Sequence, residues 1–244
     1  AANQTGADYA NGRSGAISIT TTGAGGLAKT GSGSLKTGAV TGSDTAADAT
    51  DGKAQSGAIS VTVVGTVEGV TMTTGGATID SSTDTQASAV SGSIALSGSG
   101  IGTGGALPVL IGTAADANAS TNQTQGTVSL VTSGAGAAGN ISITSAGPLT
   151  VGDITTAAAS AQTISLATTG GNALTLKSGS TYTGLNDSLG GVAKGDTLQL
   201  TTAGGAGGTV AMNAAMQGVD DAPGEITINA TGTVTIGAAI ETAA

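Results

Sequence analysis

Short stretches in which aliphatic residues alternate with small, mostly polar ones recur along the whole chain. In each, two aliphatic residues flank a Ser, Thr, Ala or Gln, so one face of an extended strand is apolar. Most have glycine close by, as tight turns require. The pattern predicts an all-β protein of short strands. The stretches are residues 16–20, 58–63, 93–96, 127–130, 140–143, 163–166, 173–176, 197–200, 225–228 and 233–236.

The strands belong to an internal repeat. The motif Ser-Gly-Ala-Ile-Ser-[Ile/Val]-Thr occupies residues 14–20 and again 56–62, and looser variants follow it. A repeat that cannot bury its apolar face alone must stack on its neighbours, as in a solenoid. The first strand aliphatics, which recur at steps of 34 to 42 residues, are Ile17, Ile59, Ile94, Val128, Ile164 and Leu198.

The repeat predicts one solenoid domain over residues 1–244, with repeats of about 34–36 residues and a more irregular Gly-, Ser- and Lys-rich segment at 24–55. Each repeat fits one long coil or two short ones, for a rod of about 30 Å or about 60 Å. A parallel β-helix is favoured. The alternative is an antiparallel β-sandwich polymerised by strand donation.

The solenoid predicts a single apolar interior that runs through all repeats, because equivalent aliphatic residues stack from coil to coil. The residues expected to point into it are Ile59, Val61, Ile94, Leu96, Val128, Leu130, Ile164, Leu166, Leu198 and Leu200.

Composition narrows the function. The chain has 44 Gly, two Tyr and no Phe or Trp, so its interior must be filled by Val, Ile, Leu and Ala. The net charge is −9 and the six basic residues are scattered, which argues against a nucleic-acid partner. Without Cys there is no disulfide framework, and no apolar run is long enough for a membrane-spanning helix.

The chain has few of the residue types that commonly act in catalysis. The absence of His and Cys excludes Ser–His and Cys–His nucleophiles and the usual zinc ligands. A carboxylate pair could hydrolyse a glycosidic bond, but such a site also needs aromatic rings and positioning cations. The sequence therefore predicts that the chain is not an enzyme and needs no cofactor, with calcium as the one exception considered.

Aspartates recur in the polar segments between strands, and two groups are crowded. Asp44, Asp48 and Asp51 form one, and Asp80 with Asp84 forms the other. Carboxylate oxygens suit calcium, but Asp is also common in turns because its side chain accepts backbone hydrogen bonds. Both interpretations place Asp44, Asp80 and Asp116 in turns along one solvent-facing edge.

Six Asn-x-Ser/Thr triplets are candidate glycosylation sites, a modification that suits an exposed surface protein. They begin at Asn3, Asn118, Asn122, Asn140, Asn186 and Asn229.

Residues 139–157, which read Gly-Asn-Ile-Ser-Ile-Thr-Ser-Ala-Gly-Pro-Leu-Thr-Val-Gly-Asp-Ile-Thr-Thr-Ala, resemble repeats of filamentous-haemagglutinin-type, two-partner-secreted proteins. Residues 163–177 and 225–236 are similar in style, and the resemblance is best over about 125–244. It implies a right-handed parallel β-helix on a bacterial surface.

Together these features predict an extracellular, cell-surface structural protein that self-assembles into a filament, sheath or surface layer. Its partners would be further copies of itself, joined end to end or side by side, because neither end shows a polar cap over its strand edges. The alternative is the stalk of a bacterial adhesin that binds host or neighbouring cell surfaces. Contact with a cell surface or a polysaccharide fits either function.

Overall fold

The fold is taken from a computed structural model, which describes residues 9–28, 33–44, 52–81, 87–116, 122–157, 161–183, 196–214, 216–217 and 225–241. In this part of the chain the regular structure is β-strand, apart from a 3-10 helix at Gly136–Gly139. The strands are β1 (Tyr9–Ala10), β2 (Gly12–Arg13), β3 (Ile17–Thr20), β4 (Leu27–Ala28), β5 (Ser34–Lys36), β6 (Val40–Asp44), β7 (Lys53–Gln55), β8 (Ile59–Thr62), β9 (Val67–Glu68), β10 (Thr71–Thr73), β11 (Ala77–Asp80), β12 (Ser88–Val90), β13 (Ile94–Gly98), β14 (Leu107–Leu110), β15 (Ala114–Asp116), β16 (Asn122–Thr124), β17 (Val128–Thr132), β18 (Ile141–Ser145), β19 (Leu149–Thr155), β20 (Thr163–Thr168), β21 (Leu174–Leu176), β22 (Tyr182–Thr183), β23 (Thr197–Thr202), β24 (Val210–Met212), β25 (Met216–Gln217), β26 (Glu225–Asn229), β27 (Val234–Ile236) and β28 (Ile240–Glu241).

The strands form four main sheets. Sheet I stacks β3, β8, β13, β17, β19, β21, β24 and β27, with β22 beside β19, and sheet II stacks β5, β10, β14, β18, β20, β23 and β26. Sheet III contains β1, β6, β11 and β15, and sheet IV contains β2, β7, β12 and β16. The described pairs are parallel except β1 with β6, so the antiparallel β-sandwich alternative is wrong.

The chain passes through the sheets in a fixed order, and each passage is called a circuit below. In the first half a circuit visits sheets I, II, III and IV before it returns to sheet I one strand further on. Ile59 and Ile94, which are register partners, are 35 residues apart. This half therefore has one long coil per repeat.

After β17 the described strands lie in sheets I and II, apart from β25 and β28, which pair with each other. Val128 pairs with Val151, only 23 residues later, because no strand of sheet III or IV intervenes. Sheets I and II, called the body, thus run the length of the structure, whereas sheets III and IV, called the arm, flank only its first half. Eight stacked strands make sheet I about 38 Å long at about 4.8 Å per strand.

The shortened circuit corrects the repeat inferred from the sequence. Ile17, Ile59, Ile94 and Val128 do stack on one another in sheet I. Ile164 and Leu198 were expected to continue that series. Instead Ile164 stacks on Ile141 and Leu198 stacks on Ile164, all in sheet II. The step from Val128 to Ile164 joins residues of two different sheets, whereas the 34-residue step from Ile164 to Leu198 is one circuit within sheet II.

One apolar core fills the body. All ten residues predicted to point into a single interior are buried in this cluster, so that prediction is confirmed. Val, Ile, Leu and Met dominate it, consistent with the scarcity of aromatic residues. The arm has a separate and narrower core made mainly of alanine, and its members are Val40, Ala54, Ala77, Ile79, Ala87, Ala89 and Ala114.

Adjacent residues of β17 provide a matched test of the body core. Leu130 is fully buried, whereas Val131 is 41% exposed on the outer face. Leu130→Ala should lower the free energy of unfolding by about 2–5 kcal/mol, because it removes buried contacts and leaves a cavity. Val131→Ala should change it by less than about 0.5 kcal/mol. Urea unfolding followed by circular dichroism measures both, and equal losses would contradict the assignment of faces.

Candidate functional site

The arm joins the body through a row of serine–glycine bends between sheets IV and I. The hydroxyl oxygens of Ser14 and Ser56 accept hydrogen bonds from the backbone N–H of Gly57 and Gly92 in the next circuit, each at 2.7 Å. Ser91 accepts from Gly126 at 2.8 Å. Side-chain hydroxyls thus link circuits where the backbone turns, and this is the structural role of the repeated Ser-Gly motif.

A second row lies opposite, between sheets II and III. The Thr37 hydroxyl accepts from the N–H of Gly75 at 3.0 Å and donates to the carbonyl oxygen of Gly57 at 2.8 Å. Thr74 accepts from Gly112 at 3.1 Å. The Thr37–Gly57 bond crosses between the two rows, which are together called the neck and which separate the two cores.

Glycine is required at the neck because successive bends touch through their backbones. A Cβ atom on Gly57, Gly92 or Gly126 would overlap the carbonyl group of the equivalent glycine in the preceding circuit. The same holds for Gly75 and Gly112 in the second row. Many of the glycines that make the sequence look low in complexity are therefore contact positions.

An open groove of about 400 Å³ follows the serine row along three circuits. Arg13 and Gln55 lie on the arm side, and Ala58 and Ser93 lie on the body side. Its lining residues include neither a carboxylate nor an aromatic ring, and three of its hydroxyls already accept backbone N–H groups. The groove lining therefore provides no pair of acid–base groups.

The aspartates predicted to lie in exposed turns occupy three different environments. Asp44, at the end of β6, is buried, and its carboxylate accepts a hydrogen bond from the N–H of Gly52. The expectation of a solvent-facing turn is wrong for Asp44, because the carboxylate partners a buried backbone donor. Asp80 is exposed at the end of β11. Half-buried Asp116 ends β15 and accepts from the Ser81 hydroxyl at 2.7 Å.

These carboxylates end consecutive strands of sheet III, so they do share one edge. Asp48, Asp51 and Asp84, the other candidate calcium ligands, lie outside the described residues. Among the residues described, no group of three or more acidic, His or Cys side chains could hold a metal ion. Asp44 and Asp116 instead bind a backbone N–H group and a hydroxyl group, respectively.

Sequence reasoning missed a buried carboxylate before β23. Asp196 accepts hydrogen bonds from the Thr156 hydroxyl at 2.5 Å and from the N–H of Gln162 at 2.7 Å. The Gln162 amide in turn donates to the carbonyl oxygens of Gly134 and Ala157. This network ties three circuits together at one corner of the body. The only sequence signal is an Asp directly before a strand.

Tyr182 has a structural role. Its hydroxyl donates to the carbonyl oxygen of Val151 at 3.1 Å, and its ring packs against the body core. Burial, together with the nearby negative charge of Asp153, raises the pKa of the Tyr182 hydroxyl. Asp153 itself accepts from the N–H of Thr181.

The candidate glycosylation sites differ in accessibility. Asn122 in β16 and Asn229 in β26 are exposed. Asn140 is half-buried, and its side-chain oxygen accepts from the N–H of Thr163 at 2.8 Å. Asn3, Asn118 and Asn186 lie outside the described residues.

The two end strands of sheet III are partly covered by described residues. At one end β1 pairs antiparallel with Ser43 and Asp44 of β6. At the other end the Gln125 amide donates to the carbonyl oxygen of Ala114 at 3.2 Å. The Gln123 amide, oriented to satisfy both neighbours, donates to the same oxygen and accepts from the N–H of Asp116. Covered edges of this kind resist pairing with further chains.

Among the described residues, the strands at both ends of the body have one uncovered side. In its first circuit, Ile17, Ile19 and Leu35 are only half-buried. In its last, Val234 is 43% and Ile236 is 51% exposed. Equivalent residues in the middle circuits are fully buried because strands cover them on both sides. The end strands β3 and β27 each have only one described partner in sheet I.

Comparison with known proteins gives no match to a protein family, to a curated protein or to a solved structure. Within the described part of the chain, no helix has the length and apolar character needed to cross a membrane.

The neck makes a prediction about Ser56. Ser56→Ala removes the acceptor of the buried Gly92 N–H, so it should lower the free energy of unfolding by about 1–3 kcal/mol. Ser18→Ala, on the exposed outer face of β3, should have little effect. Chemical denaturation of both variants measures the difference. A neutral Ser56→Ala would show that the hydroxyl ladder does not stabilise the fold.

The carboxylate contacts make a prediction about calcium. If the aspartates act by binding backbone and hydroxyl groups, the melting temperature should be the same in chelator and in millimolar calcium. Calcium that bound only the folded chain would raise it. Differential scanning calorimetry at constant ionic strength makes the comparison, with magnesium as the control. A rise specific to calcium would favour the calcium interpretation instead.

Proposed function

We propose that the chain is a right-handed parallel β-helix that serves as an extracellular, cell-surface structural protein and self-assembles into a filament, sheath or surface layer. The observation that supports this most strongly is the contrast between the two parts. Sheet III of the arm is partly covered at both ends, whereas the described end strands of the body present aliphatic residues and have one partner each in sheet I. Edges left open in this way recruit further strands.

The proposed role is structural and not enzymatic. The carboxylates of Asp44, Asp116, Asp153 and Asp196 bind backbone or hydroxyl groups. The Tyr182 hydroxyl is bound to a backbone carbonyl, and the groove along the neck is lined without acidic or aromatic residues. A framework maintained by backbone ladders and stacked aliphatics suits a protein whose task is to bear load.

The stalk of an adhesin remains the second candidate. The resemblance to filamentous-haemagglutinin-type repeats favours it, since those proteins stand on bacterial surfaces. A stalk would stay monomeric, with its ends covered by further segments of a longer chain. A structural building block would associate at micromolar concentration. The oligomeric state therefore separates the two functions.

Val234 and Val131 provide a matched pair for this test. Both lie in strands of sheet I and are similarly exposed, at 43% and 41%, but only Val234 lies at an end of the body. In light scattering and negative-stain microscopy the unaltered chain should form particles that grow with concentration. Val234→Asp should remain monomeric, because a carboxylate would be buried in the contact.

Val131→Asp should assemble like the unaltered chain. Loss of assembly in Val131→Asp alone would indicate side-by-side packing through the outer face of sheet I. An unaltered chain that stays monomeric at high micromolar concentration would contradict self-assembly and favour the stalk.

A further inference from the structure

We propose that two copies join head to tail by continuing the parallel registers of sheets I and II. In this contact β27 of one copy pairs with β3 of the next, and β26 faces β4. Strand β4 pairs with β9, which is linked to β18 of sheet II through isolated bridges at Ile101. The inference rests on the proposed self-assembly and specifies which residues meet.

The first support is an unbroken inward column in sheet I. Each member is the register partner of the next, so the column crosses the whole body from its first strand to its last. It contains Ile17, Ile59, Ile94, Val128, Val151, Leu176, Met212 and Ile236. The column is aliphatic throughout except for Met212, and it ends at half-buried Ile17 on one side and at Ile236, which is 51% exposed, on the other.

A second inward column crosses the structure through β4, β9, two isolated bridges at Ile101 and sheet II. It contains Leu27, Val67, Ile101, Ile141, Ile164, Leu198 and Ile226. Leu27 and Ile226, its two ends, are half-buried, whereas the residues between them are buried.

The two ends are therefore complementary. One further step of the same register places Ile17 of the next copy on Ile236, and Leu27 on Ile226. Each residue then gains the neighbour that its counterparts in the middle circuits already have, and its remaining exposed apolar surface leaves water. Neither column contains a charged side chain.

The proposed contact joins the head of one copy to the tail of the next, and not two like ends. Because the strands within sheets I and II are parallel, joining two tails would require antiparallel pairing between sheets that otherwise lack it. A heterologous contact that does not close on itself extends indefinitely. The arm does not interfere, because β1 covers part of the edge of β6 at the head and no described strand of sheet III or IV reaches the tail.

Disulfide trapping tests this register in a chain that has no cysteine of its own. Ala16 precedes Ile17, and Thr235 precedes Ile236. Both residues are exposed on the outer face, so the proposed junction places them opposite each other. Paired residues on neighbouring strands lie about 5 Å apart, which is within the Cα separation that a disulfide accepts.

Under mild oxidation, an equimolar mixture of the Ala16→Cys and Thr235→Cys variants should give a covalent dimer with one copy of each. The double variant should give a ladder of covalent oligomers on non-reducing gels. The control pairs Thr235→Cys with Ser18→Cys, which is also exposed but two residues out of register. Its Cα separation would be roughly 8 Å, too long for a disulfide.

The outcomes are distinguishable. Efficient self-linking of Thr235→Cys alone, or equal linking in the Ser18 control, would overturn the proposed direction or register. If the unaltered chain grows in light scattering but the Ala16–Thr235 link does not form, the junction is wrong although self-assembly stands. If the unaltered chain is monomeric and no link forms, both proposals fail.

Discussion

The structure depends on one constraint: an inward side chain is buried only if the equivalent residue of the next circuit lies against it. The described strands are too short, and the two tyrosines of the chain too few, to form a core within a single circuit. Backbone ladders fix the spacing between circuits, and the aliphatic columns then fill the interior at that spacing. Stability is consequently shared between neighbours, as in other repeat architectures.

The neck shows how the same constraint acts where the chain bends. Successive bends must approach as closely as successive strands do, and only glycine leaves room for the backbone of the circuit before. The hydroxyls of Ser56 and Thr37 then satisfy N–H groups that a regular ladder would have paired. Gly, Ser and Thr, which in other sequences indicate disorder, are here the residues that allow two cores to lie side by side.

The sequence was sufficient for the features set by alternation. Strand type and the inward residues from Ile59 to Leu200 were predictable because a period of two leaves little freedom. The placement of Ile164 in sheet II could not be predicted, because circuits of 23 and of 35 residues carry the same strand motif. The burial of Asp44 and Asp196 could not be predicted either. An aspartate in an exposed turn and one that binds buried backbone N–H groups look alike in sequence. The side-chain caps at Gln123 and Gln125 are contacts within one circuit, and the alternation of apolar residues carries no signal for them.

The arm flanks only the first half of the body, which has a consequence for the outer shape of a head-to-tail polymer. Such a fibre would not be a smooth rod. It would alternate thick and thin segments, with a period equal to the length of one copy, about 40 Å at the strand spacing used above. The arms would protrude from the fibre at regular intervals, so that neighbouring fibres could pack against each other at fixed offsets. The lattice spacing of a surface layer would then be set by the length of one subunit.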